Sequence, residues 1–326
     1  MAAIDCAAYS TEADRQYFDR ELDAFVPPRV FDAHAHLSAT PIMTEVPFAT
    51  GYAEYRQLVQ CLLPGRQVEA LFISYTADRE ATAAANAWTQ AQLAAAAQCR
   101  GLFYVKPTDD PEWVRQEVRR LGLHGLKCYH LLASVNPTWQ ADLPDYLPEP
   151  LVQVANEEGW VITLHMVKSR AVADPANIHW IRTYCQKYPH MKLILAHSAR
   201  GFQPLHNLEG LPQLTGLDNL YFDTSANCEP MAHAVVLRLM GPQKVMFGTD
   251  FPISHARGRS IGVGDSFIWV YGQTPVWGEK HQRVDPPLVG MEALRALKWA
   301  CWSERLADAQ VEDLFWNNAA RLFALD

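Results

Sequence analysis

A chain of 326 residues, 49% hydrophobic and 20% charged, has the apolar content of an ordinary globular protein and is long enough for two modest domains or one large barrel. Its net charge of -8 and pI near 5.8 exclude the basic face that a nucleic acid or an anionic membrane surface requires. No apolar run is long enough to span a bilayer, so the expected partner is a small molecule. The opening Met1-Ala2-Ala3-Ile4-Asp5 lacks a basic segment followed by an apolar core, and a cytoplasmic location is the expectation. Cys6, Cys61, Cys99, Cys128, Cys185, Cys228 and Cys301 are scattered, odd in number and without a C-x-x-C pair, which reads as reduced core thiols. Cys128, nearest the chemistry described below, reads as a buried thiol rather than a nucleophile.

Residues 1–29 form a helical lead-in. Tyr17, Phe18, Leu22 and Phe25 recur at helical spacing, and Pro27-Pro28 ends that helix before the first strand. From Val30 a short apolar run alternates with a helix-compatible stretch. The runs open near Val30, Val68, Cys99, Leu123, Trp160, Lys192, Asn219 and Lys244. Helical stretches lie between them, around 53–63, 78–98, 111–121, 149–158, 176–188, 203–214 and 229–240, with a closing pair near 291–304 and 310–323. Gly101, Gly125, Gly159, Pro189 and Pro242 punctuate the junctions. Alternation implies parallel strands joined by right-handed crossovers, and eight units of roughly 30 residues predict a (β/α)8 TIM barrel over residues 30–326. A doubly wound open sheet is the rival, weakened because no G-x-G-x-x-G follows the first strand and no G-x-x-x-x-G-K-[ST] occurs. Residues 253–290, rich in Gly, Trp, Pro and His, separate the last strand from the closing helices. They are expected to lie over the carboxyl-end face as a lid or a contact for a neighbouring subunit, and a homodimer is the expected assembly.

The first run, Val30-Phe31-Asp32-Ala33-His34-Ala35-His36, carries two histidines at strand spacing, so both imidazoles project to one side, with Phe31, Ala33 and Ala35 opposite. Lys127 falls late in strand 4, His165 ends strand 5, His197 ends strand 6 and Asp250 ends strand 8. Taken singly, each has an ordinary explanation. His165 suits a cleft, Lys127 a paired or snorkelling lysine, and Gly248-Thr249-Asp250 a turn with a capping carboxylate. Their conjunction at one rim points to a divalent ion: neutral imidazoles and a carboxylate suit Zn2+ best, with Mn2+, Fe2+ or Co2+ also compatible.

The order Asp-x-His-x-His, strand-end Gly-x-Lys, His165, His197-Ser198-Ala199-Arg200, Gly248-Thr249-Asp250-Phe251-Pro252 and Asn318-Ala319-Ala320-Arg321-Leu322-Phe323 resembles the amidohydrolase superfamily. More narrowly it is similar to the amidohydrolase-related branch that includes aminocarboxymuconate semialdehyde decarboxylase, the resorcylate decarboxylases and lactone hydrolases. The resemblance runs from about residue 30 to the C-terminus. It implies a metal held by His34, His36, His165 and Asp250, with His197 contacting the activated water or substrate and Asp250 doubling as proton shuttle. It leaves open a binuclear site bridged by a carboxylated Lys127, the less favoured arrangement. The run His255-Ala256-Arg257-Gly258-Arg259 and its sequel through Trp277 match no substrate class.

Hydrolysis of an ester, lactone or amide by activated water is the leading expectation, and non-oxidative decarboxylation of a small carboxylic acid on the same metal set is the alternative. A barrel kept as a binding scaffold is a third reading, opposed by the intact residue set. Arg200 suits a substrate carboxylate and an ordinary salt bridge equally; for Arg257 and Arg259 the salt bridge is the stronger expectation.

Overall fold

The eight apolar runs become eight strands: β1 (Arg29–Leu37), β2 (Gln67–Ser74), β3 (Arg100–Tyr104), β4 (Gly125–Tyr129), β5 (Val161–His165), β6 (Lys192–Leu195), β7 (Leu220–Asp223) and β8 (Val245–Met246). Each pairs in parallel with the next, in sequence order, in a computed structural model that describes residue 4 and residues 6–94, 96–272 and 286–325. The ring closes between β1 and the segment after β8. Ala33 N donates to Phe247 O (2.8 Å), Asp250 N to His34 O (2.7 Å) and His36 N to Phe251 O (2.8 Å). The chain is therefore a (β/α)8 barrel.

The connecting helices are built from ordinary signals. In the helix Pro111–Leu121, Asp110 caps Trp113 N, proline holds the first position, Val114, Val118 and Leu121 face inward, and Gly122 turns the chain left-handed at the end. Phe31, Ala33, Leu71, Leu102, Val161, Ile194 and Met246 fill the foot of the barrel, closed from below by Trp316, Ala319 and Phe323 of the C-terminal helices. Ala35 departs from the expected alternation. It packs with Leu37 in the outer layer, because the β1–β2 register shifts between Asp32 and Ala35. That irregularity lets Phe31 and Ala33 face the interior below while His34 and His36 reach the mouth.

Part of the 253–290 insertion is an antiparallel hairpin, β9 (Gly258–Val263) and β10 (Ser266–Tyr271). Its tip is tied to the loop and helix after β6: Gln203 Nε2 donates to Gly264 O (2.7 Å), and His206 Nε2 lies 3.1 Å from Asp265 Oδ1. Residues 273–285, Trp277 among them, lie outside the described residues. Among the described residues no helix is long and apolar enough to cross a membrane.

The lead-in helix Glu12–Glu21 starts at a Thr11 capping box and is stapled to the insertion by the ion pair of buried Asp14 with Arg257. Arg259 pairs with Glu229 (3.8 Å) and Glu292 (3.4 Å), so both loop arginines are spent on structure. The expectation of seven reduced thiols is corrected. Cys6 and Cys61, 55 positions apart, form a disulfide with Cα atoms 5.4 Å apart, while the other five are buried free cysteines. The cause is long-range. The lead-in folds back along the helix Tyr52–Leu62, where Ile4 N donates to Gln57 Oε1 (2.7 Å). Burial pushes the Cys128 thiol up to about 12, which leaves it no nucleophilic role. Thiol titration of the denatured, unreduced protein is expected to count five groups, and seven after reduction; seven before reduction would reject the Cys6–Cys61 pairing.

Candidate metal centre

The carboxyl ends of β1, β4, β5, β6, β7 and β8 deliver one polar cluster. His34 Nε2 and His36 Nε2 lie 3.5 and 3.4 Å from the same oxygen, Asp250 Oδ1. Lys127 Nζ is 3.4 Å from His34 Nε2. His165 Nδ1 faces His197 Nε2 at 3.0 Å, and the rings of His34 and His197 are 5.1 Å apart. His34, His36 and Asp250 converge, Lys127 and His197 adjoin His34, and His165 joins the group through His197. Lys127 is almost wholly buried, and burial pulls its ammonium down from its usual range.

Tautomers follow from the neighbours. An ionised carboxylate only accepts, so the 2.9 Å contact of His34 Nδ1 with Asp223 Oδ2 puts the ring proton on Nδ1 and turns the Nε2 lone pair toward Asp250. His197 Nδ1 donates to Ser225 O (2.9 Å), which leaves its Nε2 as an acceptor facing His165. Burial holds His34 near a pKa of about 4 and His165 well below its usual value, so both are neutral. Burial also opposes ionisation of Asp250, but the positive charge that the rings of His197, His36 and His34 carry when protonated outweighs it and holds the carboxyl below its usual range. His36 Nδ1 is buried without a hydrogen-bond partner. His34, His36 and Asp250 each offer a ligand atom within 4.8 Å of the others, as do His34, His197 and Asp223. Neutral imidazole nitrogens facing a carboxylate oxygen are a donor set that fits a divalent ion of zinc's kind.

Backbone strain collects at this site. His197, Ser198, Ala199 and Arg200 have φ of 58°, 50°, 60° and 54°, one left-handed turn of four non-glycine residues, and Asp250 has φ 59°. Each such residue costs about 1–2 kcal/mol, so a turn of this kind persists only where its surroundings over-determine it. Gly248 sits at a close approach: a Cβ there would lie 3.1 Å from His34 Cβ and 3.2 Å from Ser225 Cβ, tight enough that those neighbours would have to shift.

The turn sends Arg200 into the pocket wall. Its guanidinium lies 5.4 Å from the ring centroids of both Trp139 and Phe267, and one N–H reaches Lys168 O (2.8 Å). At 7% exposure it has no carboxylate partner among the described residues, an arrangement that invites an anion. Phe202 stacks on His197 with centroids 5.5 Å apart and carries Phe267 (4.7 Å) and Trp269 (5.5 Å) of the hairpin above it.

Two functional carboxylates escaped the sequence reading. Asp223 binds His34 Nδ1, His197 N (3.0 Å) and Ser225 N (3.1 Å). Its signal was present, since Leu220-Tyr221-Phe222-Asp223 repeats the apolar-then-polar ending of the other strands. Asp32 accepts from Thr249 N (2.8 Å), His34 N (3.1 Å) and Tyr55 Oη (2.9 Å), so the first residue of Asp-x-His-x-His ties β1 to the end of β8.

The amidohydrolase family model matches residues 31–325. No curated protein sequence matches the chain. Solved structures do. An amidohydrolase from Burkholderia multivorans with bound zinc has a TM-score of 0.60 at 14% identity, over 91% of this chain and 99% of that one. The 5-carboxyvanillate decarboxylase of Sphingomonas paucimobilis has a TM-score of 0.56 at 15% identity, over 92% and 100%. A Pseudomonas putida protein assigned as a 2-pyrone-4,6-dicarboxylic acid hydrolase has a TM-score of 0.57 at 17% identity, over 92% and 98%.

Elemental analysis of the purified protein is expected to find close to one divalent ion per chain, and His34→Ala or His165→Ala is expected to strip it; unchanged metal in both variants would reject the ligand assignment. Asp223→Asn keeps the shape but weakens the hold on the His34 tautomer, so metal affinity in a chelator competition should fall about 10- to 100-fold.

Proposed function

The chain belongs to the amidohydrolase family, and from that premise we propose that it is a metal-dependent hydrolase of a small-molecule ester, lactone or amide. The observation that carries the proposal is the carboxylate of Asp250, whose Oδ1 is poised 3.4 to 3.5 Å from two neutral imidazole nitrogens. His34, His36, His165 and Asp250 are the proposed ligands of one divalent ion, zinc before manganese, iron or cobalt; a second ion bridged through Lys127 is less favoured. Such an ion supplies Lewis acidity, polarising a carbonyl and acidifying water toward neutrality.

The protein's part is proton handling and exclusion of solvent. Asp250, through Oδ2, accepts the proton of the attacking water and returns it to the leaving group. His197, its Nδ1 proton committed to Ser225 O, presents Nε2 as acceptor and so orients that water. Arg200, buried between Trp139 and Phe267, binds a carboxylate of the substrate. Phe202, Phe267 and Trp269 keep bulk water from the His197 side, and the hairpin bearing two of them shapes substrate preference.

The second reading is a metal-dependent, non-oxidative decarboxylase. It is supported by the same unpaired Arg200, which could hold the carboxylate that departs, and by the decarboxylase among the similar structures. A panel of lactones, esters, amides and aromatic acids assayed with CO2 detection separates the two: product acid without CO2 supports the hydrolase, and CO2 release without water consumption overturns it in favour of the lyase. Metal content with no turnover on the panel favours the scaffold reading.

Asn at position 250 keeps an oxygen ligand but accepts no proton at neutral pH. Asp250→Asn should therefore lower turnover by a factor on the order of 100 to 10,000. Metal occupancy after reloading should stay within about twofold, since three imidazoles suffice for a zinc-like ion. A metal-loaded variant with near-parental turnover would move the proton transfer elsewhere.

A further inference from the structure

We infer that Ser198, Asn207, Asn227 and His233 are positioning residues whose hydrogen bonds hold the left-handed turn His197–Arg200, and through it aim His197 at His165 and Arg200 at the pocket wall. None of the four contacts the ligand atoms of the cluster, and all are buried: 0% exposed for Ser198, Asn207 and Asn227 and 1% for His233. The bonds form a directed chain. His233 Nε2 donates to Asn227 O (2.9 Å), so its Nδ1 accepts the Ser198 hydroxyl proton (2.7 Å). Asn227 Nδ2 donates to His197 O (2.9 Å), and Asn207 Nδ2 donates to Ser198 O (2.9 Å) and Ala232 O (3.3 Å). His197 N–H goes to Asp223 Oδ1 (3.0 Å).

The turn keeps one backbone bond, Gly201 N to His197 O (3.0 Å), and is otherwise held by side chains from the loop after β7 and from two helices, Pro204–Gly210 and Pro230–Met240. Glycine would adopt such a backbone without help. Here none of the four turn residues is glycine, and the side-chain network does what glycine would have done. A right-handed turn from the same strand end would carry Arg200 and the His197 ring away from their present partners, so the network serves the site rather than the barrel, whose strands pair without it.

The inference uses the metal reading only for its first readout. The full-length protein is loaded with cobalt(II), and its visible absorption and its affinity, by chelator competition, are measured. Ser198→Ala and His233→Leu are each expected to weaken cobalt binding about 10- to 100-fold and to shift the visible band, because His165 loses the His197 contact on which it rests. Ala199→Gly added to either variant removes the conformational cost at the centre of the turn and should return the affinity to within about threefold of the parent, with the band restored. A merely structural role for His233 offers no reason for a glycine at position 199 to help. Affinity and band unchanged in both single variants would overturn the inference, as would a loss that the glycine does not recover. Ser198→Ala, the milder change, decides the matter if His233→Leu does not fold. Should the parent take up no cobalt, the metal reading fails by itself, and crystal structures of the same variants decide the turn. Left-handed φ at 197–200 lost in Ser198→Ala and regained with Ala199→Gly supports the inference; φ retained without the network overturns it.

Discussion

The seam between β1 and the segment that follows β8 is the contact on which the rest of the molecule depends. The last strand is only two residues long, so the ring cannot close through an extended ladder. Closure is passed to the backbone of the site itself: Asp250 N on His34 O, His36 N on Phe251 O, and the Asp32 carboxylate across to Thr249. The same atoms that join the first and last strands set the distance between the imidazole pair and the Asp250 carboxylate. Architecture and chemistry share one set of bonds, and Gly248 sits at the seam in close approach to His34.

Around that seam most of the buried charges among the described residues are met by a partner. Asp223 spends its oxygens on His34, the His197 amide and Ser225. Asp14 is met by Arg257, and Arg259 by Glu229 and Glu292. Arg200 and Lys127 are not among them: Arg200 has aromatic faces and a single carbonyl for company, and Lys127 has His34 Nε2 at 3.4 Å. In a low-dielectric setting a guanidinium without a counter-charge is costly.

The barrel was legible because its signals are local and repeated. All eight strands open within a few residues of the apolar runs beginning at Val30, Val68, Cys99, Leu123, Trp160, Lys192, Asn219 and Lys244, since a parallel strand buried on both faces must be continuously apolar. The strand-end rule brought out His34, His36, Lys127, His165, His197 and Asp250, and the structure brings them together. What stayed hidden depends on partners far along the chain. The Cys6–Cys61 disulfide requires knowing that the lead-in doubles back on the helix Tyr52–Leu62. The shift within β1 that separates Ala35 from Ala33 is a register event, invisible to alternation counting. The left-handed turn after β6 carries no glycine to announce it, because the groups that enforce it, Asn207, Asn227 and His233, lie in later elements. Asp223 was legible in principle and passed over because its strand carries no histidine.

The seam has a consequence for how the molecule comes into being. Asp32 and its partner Thr249 are 217 positions apart, and the floor of the barrel beneath Phe31 is laid by Trp316 and Phe323. During synthesis β1 can pair with β2 soon after both leave the ribosome, but its other edge stays open until the segment after β8 has been made. Contacts of such sequence separation form late and slowly. The cluster at the mouth of the barrel therefore cannot be complete before Asp250 has been made, and a chain that stops short of it carries His34 and His36 without that carboxylate.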